Sequence, residues 1–155
     1  MSSIFDVAAC ILEAIGYMST MKLQKLAYYS QAYSLVYARH PLFGEDFQAW
    51  VNGPVCPNLF HIHRHQYVIG PENLEGHGSA CALTTPERRL VLHVCDVLSG
   101  YDGNELSALT HNELPWSQAR AGCLPEERCA NVISKESMLA YYSAPNNTNP
   151  LFSCR

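Results

Sequence analysis

Charge is scarce in this 155-residue sequence. Only 15% of the residues are Asp, Glu, Lys or Arg, while 48% are apolar; a globular chain usually carries ~25% charged residues. The balance excludes intrinsic disorder, which needs high charge and few aromatics. The formal net charge is -4, so no basic footprint covers the protein and direct nucleic-acid binding is not expected. No run of about eighteen apolar residues exists, so no membrane span is expected. The opening MSSIFDVAAC lacks a basic stretch and carries Asp6, which makes a poor signal peptide. Also missing are HExxH, GxGxxG, a Walker loop and GxSxG. No sign of an enzyme remains, and neither cofactor nor metal is expected. Seven cysteines are present, an odd number with no CxxC. Scattered thiols fit a reducing cytosol better than a disulfide framework, so a cytoplasmic protein is expected.

What is present points to helices. Ile4, Val7, Ala8, Ile11, Leu12 and Ile15 recur at helical spacing. Ser3 and Asp6 can cap that segment, and Gly16 can stop it. A second helix is expected from Met21 to Arg39, capped by Ser19 or Thr20 and ended before Pro41. Its apolar residues lie on most faces, which marks a central, buried helix. A strand is expected over Phe47–Val51, broken by Asn52-Gly53-Pro54, with Cys81–Leu83 as the candidate returning strand. Further helices are expected over 58–66, 86–98, 104–111, 116–121 and 134–142. The sum is a mainly helical α+β domain over residues 1–143: a compact bundle around a central helix with one small hairpin. The Pro- and Asn-rich stretch 144–155 is expected to be a loose tail.

Several clusters invite chemistry. His61 and His65 stand four apart, a spacing that zinc ligands use on a helix. A metal needs a third ligand, and the intervening Ile62-His63-Arg64 supplies no HExxH glutamate; a polar helix face is the favoured reading. Cys123 and Cys129 with His111 upstream could form a nucleophilic pair, but no flanking elbow supports one. Lys22, Lys25 and Arg39 lie in a stretch, Gly16 to Phe43, that has no acidic residue. That face is either simply solvated or a patch for phosphate or an acidic partner. Trp50 is either core or an interface anchor. His111, Trp116 and Arg120 suit a buried polar cluster that locks a corner.

Four motifs in order carry a resemblance. Met21-Lys22-Leu23-Gln24-Lys25-Leu26-Ala27-Tyr28-Tyr29-Ser30-Gln31 is followed by Pro41-Leu42-Phe43, then Ala49-Trp50-Val51-Asn52-Gly53-Pro54-Val55, then Leu109-Thr110-His111-Asn112-Glu113-Leu114-Pro115-Trp116. Ala119-Arg120 and Ile133-Ser134 come after them. Together they resemble the Panacea domain of SocA-like antitoxins and phage-associated GepA-like proteins, over about residues 18–142. Ala27, Ser30, Cys56 and Phe60 depart from the commoner residues by core-sized changes that do not threaten the fold. Residues 61–83 match least, so partner specificity is expected there.

The resemblance implies an antitoxin of a bacterium, phage or mobile element. Its expected partner is a toxin encoded beside it, neutralised by direct binding, with presentation to a host protease as a further route. The partner surface expected from it comprises Lys22, Gln24 and Lys25, the turn residues Trp50, Asn52, Pro54 and Val55, and His61 with His65. Two rivals stand beside this reading. One is a phage accessory protein that binds a host protein. The other is a metal- or Cys-dependent enzyme using His61, His65 or Cys129.

Overall fold

A computed structural model describes residues 1–153. Helix α1 (Ile4–Ile15) begins with a capping box. Ser3 Oγ accepts from the Asp6 amide at 3.3 Å, and the Asp6 carboxylate accepts from the Ser3 amide at 3.0 Å. Two of the orphan donors of the first turn are thereby satisfied. Its apolar stripe, Ile4, Val7, Ile11 and Leu12, is fully buried. A two-residue strand β1 (Met18–Ser19) leads into α2 (Thr20–Tyr33), where Ser19 Oγ accepts from the Lys22 amide. A five-residue π-helical turn, Ser34–Ala38, extends α2, and Arg39 closes it in the left-handed region at φ 64°.

Every residue of α2 from Leu23 to Ala32 is buried. Helices α1, α4 (Thr85–Leu98), α5 (Gly103–His111) and α7 (Lys135–Tyr142) pack around it. A helix enclosed on all sides must satisfy its polar side chains internally. Two glutamines do this by imitating backbone. Gln31 accepts from the Leu42 amide at 2.7 Å and donates to the Phe43 carbonyl at 2.8 Å. Gln24, seven residues earlier on the same face, accepts from the Cys56 amide at 2.9 Å and donates to its carbonyl at 3.3 Å. Each amide pins a loop to the central helix.

Strands β2 (Phe47–Trp50) and β3 (Gly53–Val55) form a tight hairpin through Val51-Asn52, with Trp50 opposite Gly53 and Ala49 opposite Pro54. The returning strand is therefore the segment read as a breaker. Proline is tolerated because β3 lies at the sheet edge, where no ladder donor is required. Residues Ala80–Ala82 form a 3₁₀ turn capped by Ser79 instead of a strand. Strand β5 (Val132–Ile133), unforeseen in the sequence, pairs with the other edge of β2. Strand β4 (Val68–Ile69) pairs with β1. Between these elements lie α3 (Pro57–His63) and α6 (Leu114–Ala119). The fold is mainly helical, as expected, with two small sheets in place of one hairpin.

The segment after Ser143 is not loose where it is described. Asn149 donates to Glu113 Oε2 at 2.7 Å, and Leu151 and Phe152 are buried. Phe152 stacks on Tyr142 with centroids 4.8 Å apart. The docking follows from chemistry: the amide supplies a donor to a buried carboxylate, and the ring fills the space beside it. Cys154 and Arg155 lie outside the described residues.

Candidate functional site

A cavity of about 420 Å³ opens between the start of α2, the β2–β3 hairpin, α3 and residues 128–130. Each wall has a local cause. The Ser19 cap fixes the first turn of α2, which turns Gln24 and Lys25 inward. The hairpin brings Trp50 and Asn52 to the mouth. Pro57 starts α3 at a position that needs no amide donor, and the helical rise then places Leu59 and His63 on one face, both buried. Phe60 meets Trp50 edge-on at 4.9 Å and forms an aromatic wall.

The fourth wall depends on Arg120. Its guanidinium donates to Ala49 O at 2.8 Å, Leu124 O at 2.7 Å and Glu127 O at 2.8 Å. Collecting these carbonyls curls the 121–130 loop, and Cys123 is disulfide-bonded to Cys129 across it. Two of the seven cysteines are thus paired, contrary to the expectation of scattered thiols. The pairing also withdraws Cys129 from the suggested nucleophile role, because a disulfide sulfur is no thiolate. Trp116 donates to Trp50 O at 2.8 Å, stacks on His111 at 4.1 Å, and carries the Arg120 guanidinium 5.5 Å from its centroid.

The electrostatics of the cavity are one-sided. Lys25 is only 1% exposed and, among the described residues, makes neither hydrogen bond nor ion pair. Burial pulls its ammonium down to about 7. His63 Nε2 lies 2.9 Å from the Gln24 amide nitrogen, which can only donate, so the ring accepts there and is neutral. Burial, then the Lys25 charge, lowers His63 below the usual histidine value. His111 is lowered by burial first and by Lys25 and Arg120 after it. Its Nε2 is buried without a partner among the described residues. Arg128 reaches the rim, and among the described residues no carboxylate lines the cavity.

Gly53 explains how a lysine fits beneath the hairpin. It adopts φ +114°, and a Cβ there would come within 2.7 Å of Lys25 Cε and 2.9 Å of Thr110 Oγ1. Both the backbone angle and the space require glycine.

Of the residues singled out in the sequence, Gln24, Lys25, Trp50, Asn52 and Val55 meet around this cavity. Pro54 is buried in the edge strand. Lys22 turns the other way and donates to Ser99 O at 2.7 Å at the end of α4, where the helix dipole favours a cation. Lys25 is no surface charge at all. His61 and His65 do not share a helix face, because α3 ends at His63 and His65 sits at φ 67°. The histidine that lines the cavity is the middle one, His63. Its signal was the spacing of four from Leu59, which puts it on the apolar side. Arg128, from a loop without pattern, had no signal.

The order of these elements carries the family motifs to one place: the lysine- and glutamine-bearing start of α2, the Trp-Val-Asn-Gly-Pro-Val hairpin and the His111–Trp116 corner. The family profile described as "Antitoxin SocA-like, Panacea domain" matches residues 23–117, more than half of the chain. This chain belongs to the SocA-like antitoxin Panacea domain family. An antitoxin-type role follows in general terms, with a protein of the toxin type as the kind of partner. No curated protein and no solved structure matches the chain. No helix among the described residues is long and apolar enough to cross a membrane.

Proposed function

We propose that this Panacea domain neutralises a cognate toxin by direct protein–protein contact, without making or breaking a covalent bond. Membership of the antitoxin family carries this reading. We place the contact on the face around the cavity mouth, which includes Trp50, Asn52, His61 and His65. Tyr17 and Tyr67, the residues just before β1 and β4, and Val68 of β4 are exposed, the last two at 80% and 53%. Aromatic residues held on a rigid edge are suited to anchoring a partner. Lys25, Pro54 and Val55 shape that face from below. Lys22 belongs to its far flank.

The test is expression of the reading frame beside this gene, alone and together with this chain. Growth arrest by the toxin alone, rescue on co-expression and co-purification of the two proteins are expected. Rescue without a complex would contradict direct binding. Toxin half-life separates the two routes: occlusion leaves it unchanged, and presentation to a protease shortens it.

A further inference from the structure

We propose that the cavity above Lys25 is a binding site for a small organic anion, a flat apolar body bearing one carboxylate or phosphate that pairs with the Lys25 ammonium. This goes beyond toxin binding and does not depend on it. Burial penalises an ammonium unless it is paired or hydrogen-bonded, and Lys25 has neither partner among the described residues, so a bound anion would stabilise its charged form. Gln24 Oε1 accepts from the Cys56 amide, and His63 Nε2 accepts from the Gln24 amide. The lining offers Lys25, His63 and Arg128 and no carboxylate, on a protein with 14 acidic residues. Among the described residues, therefore, the chain supplies no counter-charge to Lys25.

The rest of the cavity describes the rest of the ligand. About 420 Å³ falls within the range that holds small molecules, roughly 300–1,000 Å³. The Trp50–Phe60 pair gives a flat ring an edge and a face to pack on. Met21 and Val55 add apolar surface, and Asn52 at the mouth can hydrogen-bond a polar substituent. Gly53 clears the space into which the lysine head projects.

Isothermal titration of the full chain with benzoate, indole-3-carboxylate and adenosine monophosphate tests this. Benzamide, indole-3-carboxamide and adenosine serve as neutral partners. At least one anion is expected to bind saturably, at least tenfold tighter than its neutral counterpart, and to lose that advantage in Lys25→Met but not in Lys135→Met. The carboxylate and phosphate arms show which head group the site prefers. Reductive methylation of the wild-type protein provides a second readout that needs no substitution. The bound anion should protect Lys25 at least fivefold, with Lys22 and Lys135 as internal references. Equal binding of the neutral compounds, no binding by any anion at millimolar concentration, or unprotected Lys25 under saturating anion would each overturn the proposal. Protection of Lys25 by the toxin alone, with no small anion binding, would overturn it too and would leave direct toxin binding standing.

Discussion

Two ionisable groups are buried beside the central helix, and their surroundings are opposite. Glu113 is 5% exposed and fully engaged. Tyr29 and Tyr142 each donate to its Oε1 at 2.7 Å, and Asn149 donates to its Oε2 at 2.7 Å. Tyr142 lies 3.2 Å from the Tyr28 hydroxyl, so the ring cluster Tyr28–Tyr29–Tyr142 is organised around one carboxyl group. Burial still raises Glu113 above the ordinary carboxylate value, with the three donors working against it. Lys25, one helical turn before Tyr29, has no such shell. A buried polar group with every valence met fixes a structure. A buried amine with no partner among the described residues destabilises the fold whenever it is protonated. The first pattern reads as architecture. The second reads as a site kept ready for something else.

The largest expected effect breaks the satisfied side. Glu113→Ala takes the acceptor from the buried Tyr29 hydroxyl and Asn149 amide, while Tyr142 keeps the Tyr28 hydroxyl at 3.2 Å; a lost buried partner costs roughly 1–3 kcal/mol for each group stranded. Urea unfolding should show a loss of about 4 kcal/mol. The docked segment around Asn149 should also become accessible to protease, since its anchor has gone. A loss of under about 1 kcal/mol would mean that the tyrosine cluster does not need the acid.

The opposite sign is expected on the unsatisfied side. Lys25→Met keeps the length of the side chain and removes its charge, so it should stabilise the protein by on the order of 3 kcal/mol at pH 6. The pH dependence sharpens the contrast. Lys25 is held down to about 7 in the folded protein, against about 10.4 in the unfolded chain. Between those values the unfolded chain binds more protons at this site, so wild-type stability gains with rising pH. The advantage of Lys25→Met should therefore be full below pH 7 and shrink as pH rises toward 10. Chemical unfolding of both proteins across that range checks the sign.

A smaller effect concerns the cavity's fourth wall. Cys123→Ser opens the Cys123–Cys129 disulfide, and a loop this short stabilises by about 2 kcal/mol at most. Arg120 still gathers the loop carbonyls, so the loop should loosen without unfolding the domain. Reduction should lower the wild-type melting temperature by the same modest amount as the substitution does, and should leave the melting temperature of the variant unchanged. A drop large enough to abolish folding would make the disulfide, and not Arg120, the organiser of this wall.

Much of the fold was legible from residues. Ser3 with Asp6 and Ser19 before Met21 marked the helix starts, because cap chemistry is local. The burial of α2 followed from apolar residues on most of its faces. The hairpin partner was hidden because Gly53-Pro54 is an excellent breaker everywhere except at a sheet edge. Strand β5 is two residues long, too short for any periodicity. The site was half visible. The stretch from Gly16 to Phe43 has no acid, which already said that a lysine within it would lack a local counter-ion. Placing that lysine on the surface conflicted with the enclosed helix that carries it. Its isolation became apparent only once Gln24, His63 and Gly53 were seen closing around it from three separate elements.

The contrast with Glu113 turns on Lys25 being a buried amine with no counter-charge among the described residues. Heteronuclear NMR of the wild-type protein, following the Lys25 Cε and Hε resonances through a pH titration, reads this directly. A midpoint near 7, well separated from those of Lys22 and Lys135, is the expected result. A midpoint near 10 would show a solvated or paired ammonium and would contradict it.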